Sequence, residues 1–330
     1  MKIDFVITWV DGSDIGWRKE KAKYDTSFNP DAGDDRYRDM GLLKYWFRAV
    51  EEYAPWVNKV HFVTWGHLPS WLNTECEKLN IVKHEDYIPQ KYLPTFSSRP
   101  IELNLCRIKE LSEHFVYFND DMFLNAAVEK EFFFKKGLPC DYAYGENIFF
   151  ASKKEMYAIS QQNEINEVRK HCSYIKSFFI HPFKYVNIRY PLKNIVKNVL
   201  KLADVYKSFS DLHLPCPYLK SSMETAWERC GDVFADTTKN RFRTYTDVSQ
   251  RIFRYMRLTE GRFYPVSKKS RGAFFRVENN NDILKAALEN KNIKTICMND
   301  TPEQIDFKKA GNEIREAFEK KFPEKSAFEK

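Results

Sequence analysis

"HFVYFNDDMF", residues His114–Phe123, is the stretch on which the fold turns. Its first half is a short apolar run, and its second half opens with Asn119, Asp120 and Asp121. A continuous apolar run that stops at turn-forming residues is what a strand covered on both faces requires. Two adjacent carboxylates at the end of such a strand repel each other, and more so beside a low-dielectric core. A pair in that place needs a cation or a proton to share, unless it serves only as a turn that caps the next segment.

Working outward, Lys2–Val10 alternates and then runs apolar, as a buried strand does, and the turn "DGSD" follows it. Lys59–Trp65, "KVHFVTW", reads as a second strand, and Ile81–Lys83 as a short third. Gly41–Tyr53 carries Leu42, Leu43, Trp46, Phe47 and Val50 at helical spacing and ends before Pro55. A short helix is expected around Trp71 and a longer one over Ile101–Leu111. Residues 16–39, polar and without a period, read as a long loop. Tyr142–Phe150 reads as a further strand. Residues 152–232 read as mostly helical, with breaks at Pro182, Pro191, Pro215 and Pro217. The last strand is Ile293–Met298, and an amphipathic helix runs from about Pro302 to Lys321.

Strands alternating with helices predict an α/β fold, Rossmann-like, with a mostly parallel sheet, helices on both faces and a helical insertion. The expected organisation is 1–151 as the N-terminal part of the catalytic domain, 152–232 as the insertion or subdomain, and 233–330 as the part that completes the domain. In an open parallel sheet, ligands bind beyond the carboxyl ends of the strands. Those ends carry Asp11 and Asp14, then Thr64 to His67, then Asn119 to Asp121, then Asn299 and Asp300. If the strands are parallel, all four clusters face one crevice.

Composition narrows the class. The chain has 330 residues, of which 43% are hydrophobic, enough for a real core, and no Gly/Ser or Pro-rich linker divides it. The net charge of +7 is mild, suits an anionic substrate or membrane surface, and does not call for nucleic acid. The seven cysteines show no CxxC or CxxH spacing, and the N-terminus lacks the shape of a signal peptide, so reduced thiols and a cytoplasmic location are expected. A zinc site is not expected.

Three further features admit two readings each. His181, in "SFFIHPFK", is a structural histidine in an aromatic stretch or a general base. Arg241, Arg243, Arg251 and Arg254 form a solvated helix with an Asp247–Arg251 pair, or supply a planar grip on phosphate. In Tyr190–Lys207, an apolar stripe from Leu192 to Leu202 lies opposite Lys193, Lys197 and Lys201. Such a helix covers a core, or docks on an anionic membrane or polyanionic glycan.

Taken together, the blocks "IDFVITWVDGSD", "RYRDMGLLKYWFRAVEEYAPWVNKVHFVTWGHLPSWLN", "LPTFSSRPIELNLCRIKELSEHFVYFNDDMFL", "RFRTYTDVSQRIFRYMRLTEGR" and "KTICMNDT" resemble, in order, those of the Stealth family. These are bacterial capsular and exopolysaccharide phosphotransferases, similar to the catalytic core of the eukaryotic N-acetylglucosamine-1-phosphotransferase. The resemblance implies transfer of hexose-1-phosphate from a nucleotide-sugar to a hydroxyl of an acceptor oligosaccharide or polysaccharide, with Mg²⁺ or Mn²⁺. It implies Asp121, His181 and Arg243 as catalytic residues and Asp120, Asp121 and Asp300 as metal ligands. Asp11, Gly12, Asp14, Arg99, Asn119, Asp247 and Asn299 are implied around the donor. Contact with the inner face of the membrane, or with other capsule-synthesis proteins, is a further expectation. The chain departs from the family at Ser97–Glu102, "SSRPIE" where many members have "NSHAIE", and at Cys106, where many have His. Two other classes stay open: a metal-dependent glycosyltransferase with an A-type fold, which uses the acidic pair as its metal motif and releases nucleoside diphosphate, and a non-catalytic glycan-binding protein, against which the clustered strand-end acids speak.

Overall fold

A computed structural model describes residues 1–25, 37–149, 155–300 and 305–330. Its centre is a five-stranded sheet. Strands β1 (Ile3–Thr8), β2 (Val60–Thr64), β3 (Leu79–Lys83) and β4 (His114–Phe118) run parallel. A fifth strand, Cys216–Leu219, lies antiparallel on the far side of β4. The α/β class and the mostly parallel sheet are as the sequence predicts.

Successive side chains of a strand point to opposite faces, so one strand feeds two cores. Ile3, Phe5 and Ile7 join Phe62, Val116 and Phe118 on one face, under helices Leu43–Tyr53, Asp282–Glu289 and Phe307–Lys321. Val6, Val63, Phe115 and Tyr117 join Tyr218 on the other, under helices Lys220–Lys239 and Arg251–Thr259. The apolar runs that marked these strands are the consequence of burial on both faces.

Several local expectations need correction. Residues 16–25 are not loop: Ile15–Tyr24 is a helix, started by Asp14, whose carboxylate accepts from the Trp17 N–H at 2.7 Å. Residues 26–36 lie outside the described residues, as do Phe150, 151–154 and Pro302. No helix forms at Trp71; the chain there turns, and Leu72 bridges to Glu329. The helix expected over Ile101–Leu111 is the shorter Ser98–Leu103, followed by a 3₁₀ turn at Leu105–Arg107. The strand expected over Tyr142–Phe150 is two short strands, Leu138–Asp141 and Gly145–Glu146. Strand Cys216–Leu219 sits where the sequence predicts breaks at Pro215 and Pro217. It is an edge strand, the one place in a sheet where a missing N–H such as that of Pro217 is harmless.

The last strand, Thr295–Asn299, is not in the main sheet. It pairs antiparallel with β5 (Met122–Leu124) and parallel with Ala273–Arg276. Because β5 starts directly after Asp121, the end of Thr295–Asn299 still arrives beside the Asp pair; the Met298 N–H donates to the Asp121 carbonyl at 2.9 Å.

Candidate active site

Asp121 lies in the turn between β4 and β5 and is the hub of the site. Its Oδ2 accepts from the Cys297 thiol at 3.2 Å and the Asn299 amide at 3.2 Å, and lies 3.4 Å from His213 Nε2. Burial alone would raise its pKa, but His213 and the hydrogen bonds from His213, Cys297 and Asn299 bring it below the ordinary value. Its other oxygen, Oδ1, is buried and has no hydrogen-bond partner among the described residues.

Asp120, beside it in the same turn, is solvent-exposed. Desolvation on its protein side, with Asp121 and Asp39 nearby, pushes its pKa up to about 7. Asp39 is held there by the Trp9 indole, which donates to its Oδ2 at 3.1 Å, and by the Gly41 N–H at 2.6 Å. Three carboxylates thus converge, with His213 beside them. Burial would lower the His213 pKa, but Asp121 raises it above the usual histidine value. His213 also has a left-handed backbone, φ 49°, a conformation few non-glycine residues adopt.

His213 was not among the sequence candidates. What brings it here is register: Cys216 faces Tyr117 in an antiparallel pair. Extending both strands past that pair sets His213 across from Asn119–Asp121, and its Nε2 lies 3.3 Å from the Asn119 amide. The one local signal is its place in "HLPCP", just before an edge strand. His181, which was expected here, is exposed at the end of helix Tyr174–Ile180, where it packs against Gly261. No described contact joins it to Asp120 or Asp121.

A second cluster lies along helix Ser98–Leu103. Arg243 donates to Ser98 Oγ at 3.1 Å. Its charge lowers the Arg99 pKa alongside burial, and it partly offsets the burial that raises the Glu102 pKa. Tyr117 links the clusters: its hydroxyl donates to Asn119 Oδ1 at 2.5 Å and lies 3.3 Å from Glu102 Oε1. A hydrogen-bonded chain therefore runs from Glu102, beside Arg243, through Tyr117 and Asn119 to His213 and Asp121.

The other expected residues have visible duties in holding the walls. Asp11 Oδ1 accepts from the Ser13 N–H and hydroxyl at 2.8 and 2.6 Å, while its own N–H donates to His67 Nε2 at 2.8 Å. Gly12 lies so close to Tyr37 that a Cβ would stand 2.2 Å from the Tyr37 carbonyl oxygen, so only glycine fits. Asp14 is the helix cap described above. Arg99 is buried and bonded to Asp247 at 3.1 Å, and Asp247 also accepts from Thr244 and Asn240. The Asp247–Arg251 pair does not form: Arg251 pairs with Glu164, and Arg254 with Asp141 at 2.9 Å. Asp300 is ion-paired to Arg38 at 2.7 Å, which ties the segment bearing Asp39 to the end of Thr295–Asn299.

Residues 36–140 match the model of Stealth protein CR2, conserved region 2, and residues 1–28 that of Stealth protein CR1, conserved region 1. Over 330 residues the chain is 41% identical to the capsular polysaccharide phosphotransferase WcwK of Streptococcus pneumoniae, with 99% of each chain covered. The chain belongs to the Stealth family. Other members of comparable length align end to end. The receptor polysaccharide phosphotransferase WefC of Streptococcus gordonii is 37% identical, with 99% of each chain covered. The exopolysaccharide phosphotransferase cps2G of Lactiplantibacillus plantarum is 37% identical, with 99% of this chain and 96% of that one covered. A crystal structure of the galactosyltransferase LgtC with donor and acceptor sugar analogs overlays at a TM-score of 0.42 and 10% identity, covering 96% of this chain and 95% of that one. That overlap is too low to carry weight. Against this Stealth background, the Asp120–Asp121 pair lies inside the matched CR2 block, whereas His213 lies outside both matched blocks.

Proposed function

We propose that the chain transfers a sugar-1-phosphate, a hexose-1-phosphate or its N-acetylhexosamine counterpart, from a nucleotide-sugar to a hydroxyl of an acceptor glycan in capsule or exopolysaccharide synthesis. The product is a phosphodiester, and a nucleoside monophosphate leaves. The observation that carries this is the end-to-end similarity to relatives named as polysaccharide phosphotransferases. The gathering of Asp120, Asp121, His213 and Asn299 at one strand end supports it.

A hard divalent cation, Mg²⁺ or Mn²⁺, fits the residues present. The orphaned Asp121 Oδ1 and the raised pKa of Asp120 mark a site short of positive charge. Asp120 and Asp121 supply the oxygen ligands such an ion prefers. Asp121, His213 and Cys297 also lie close enough together to hold one ion. When bound, the cation neutralises charge on the donor pyrophosphate.

The chain's own residues supply the rest. His213 takes the proton of the acceptor hydroxyl, and Asp121 stabilises the imidazolium that results. Arg243 offers a planar fork to phosphate oxygens. Asn119 and Tyr117 hold His213 and Glu102 in fixed relation, so that attacking and leaving oxygens can line up across the phosphorus. The bond from sugar carbon to oxygen is not broken. The test is ³¹P spectroscopy of the glycan product: a phosphodiester that keeps the donor's anomeric configuration supports the reading, and a phosphorus-free glycan overturns it.

A further inference from the structure

Between Tyr174 and Val205 the chain is built inside out. Helix Leu192–Leu200 buries Asn194 and Asn198 and leaves Leu192, Val196, Val199 and Leu200 exposed. The burial of Asn198 has a reason: its amide donates to the Ala143 and Tyr185 carbonyls at 2.6 and 2.8 Å, and its Oδ1 accepts from the Gly145 N–H at 2.9 Å. Polar groups fasten the helix to the body, and its apolar face is left over. This is the reverse of an ordinary amphipathic surface helix.

The neighbouring elements bury Phe178 and Tyr185 but also leave apolar side chains outside. Helix Tyr174–Ile180 exposes Ile175, Phe179 and Ile180, and the turn-length helix Pro182–Tyr185 exposes Phe183 at 80%. Ile188 follows at 98%. The three helices pack in sequence, the first on the second and the second on the third. More than half of the large apolar side chains exposed among the described residues fall between Ile175 and Val205. Single exposed apolar residues need no explanation, but a contiguous set does.

Within the stretch itself the charges are nearly all of one sign. Lys176, Lys184, Arg189, Lys193, Lys197 and Lys207 are interleaved with it, and the one acid in the stretch, Asp204, is paired with Arg169. Two copies of this face would bring like charges together, so self-association is disfavoured. Side chains exposed to this degree protrude, which suits a soft apolar phase behind an anionic layer.

We propose that the face formed by residues 174–200 docks on an anionic lipid bilayer, with Phe179, Phe183, Ile188 and Leu192 entering the interface and the basic side chains on headgroup phosphates. No helix among the described residues is long and apolar enough to cross a membrane, so the contact is peripheral. After this face the chain passes strand Ser208–Phe209 and reaches His213, so the docked surface lies a short way along the chain from the site. The proposal does not depend on the reaction assigned above.

The experiment is co-sedimentation of the full chain with phosphatidylcholine vesicles, with and without phosphatidylglycerol. Wild type should bind the anionic vesicles, and binding should weaken as salt rises. Phe179→Glu/Phe183→Glu and Lys193→Glu/Lys197→Glu should each reduce partitioning by about tenfold or more, while thermal unfolding stays unchanged. Should the Phe double variant not fold, Ile188→Glu, at a side chain with no packing to lose, carries the same test. Absence of wild-type binding to anionic vesicles, or binding that both sets of variants retain, overturns the proposal. So does a wild-type dimer in sedimentation that Phe179→Glu/Phe183→Glu dissolves, since the face would then be an interface between copies.

Discussion

Replacing Asp141 by Asn should destabilise the fold and loosen the loop that carries His213. Asp141 is buried and faces two guanidiniums: Arg254 donates to it at 2.9 and 3.0 Å, and Arg257 closes from the other side. Burial would raise its pKa, but the two arginines pull it down to about 2. Set against an ordinary value of 3.8, that shift corresponds to about 2 kcal/mol of stability. The folded pKa is the depressed one, so the contribution is complete above the unfolded value and fades as pH falls through the folded value. The Asn variant also strands two buried cations, which raises the expected loss at pH 7 to about 3–5 kcal/mol. Arg254 also donates to the Ser210 carbonyl at 3.0 Å, so the strain reaches the segment leading into His213. Urea unfolding at a series of pH values measures the gap. It should narrow by about 1 kcal/mol between pH 7 and pH 3, because wild type loses what the variant never had. A loss below about 1 kcal/mol at pH 7, or a gap that does not change with pH, would refute the reasoning.

Three further outcomes are expected. Asp121→Asn keeps an oxygen for Cys297 and Asn299, so thermal stability should hold while turnover drops by about 100-fold or more at saturating Mg²⁺; near wild-type turnover would remove Asp121 from the chemistry. Arg243→Lys should be nearly as damaging as Arg243→Ala in kcat/KM, because lysine keeps the charge and loses the planar fork; full activity in the lysine variant would leave only a diffuse electrostatic role. His213→Gln should lower kcat by roughly 10²–10⁴ while His181→Gln changes it little, and the reverse order would restore the histidine expected from sequence.

The parts of this molecule that were readable in sequence are those where a local pattern is forced by burial. The apolar runs of β1, β2 and β4 exist because both faces of the sheet are covered, and their polar ends follow from where those strands stop. Strand Cys216–Leu219 was hidden because Pro217 looks like a breaker, and only its place at a sheet edge makes it acceptable. Helix Ile15–Tyr24 has no apolar stripe to announce it. Trp17 packs against Tyr37 and Phe96, Tyr24 also meets Phe96, and Asp14, expected beside the donor, caps the helix. His213 could not be read from spacing, since its partner Asp121 is 92 positions away and the pairing depends on a strand register. The arginines after Arg243 looked like a phosphate grip because sequence shows their number and not their partners. The structure gives Arg251 to Glu164, and Arg254 and Arg257 to Asp141.

The nucleotide released per turnover tests the central claim most directly. With a panel of nucleotide-sugars, an acceptor oligosaccharide and Mg²⁺, a phosphotransferase cleaves the pyrophosphate bridge and should release one nucleoside monophosphate for each glycan modified. An enzyme that attacks the sugar carbon releases the diphosphate instead, and its product carries no phosphorus. Stoichiometric monophosphate, lost in Asp121→Asn and His213→Gln, is the predicted result; stoichiometric diphosphate would contradict the account.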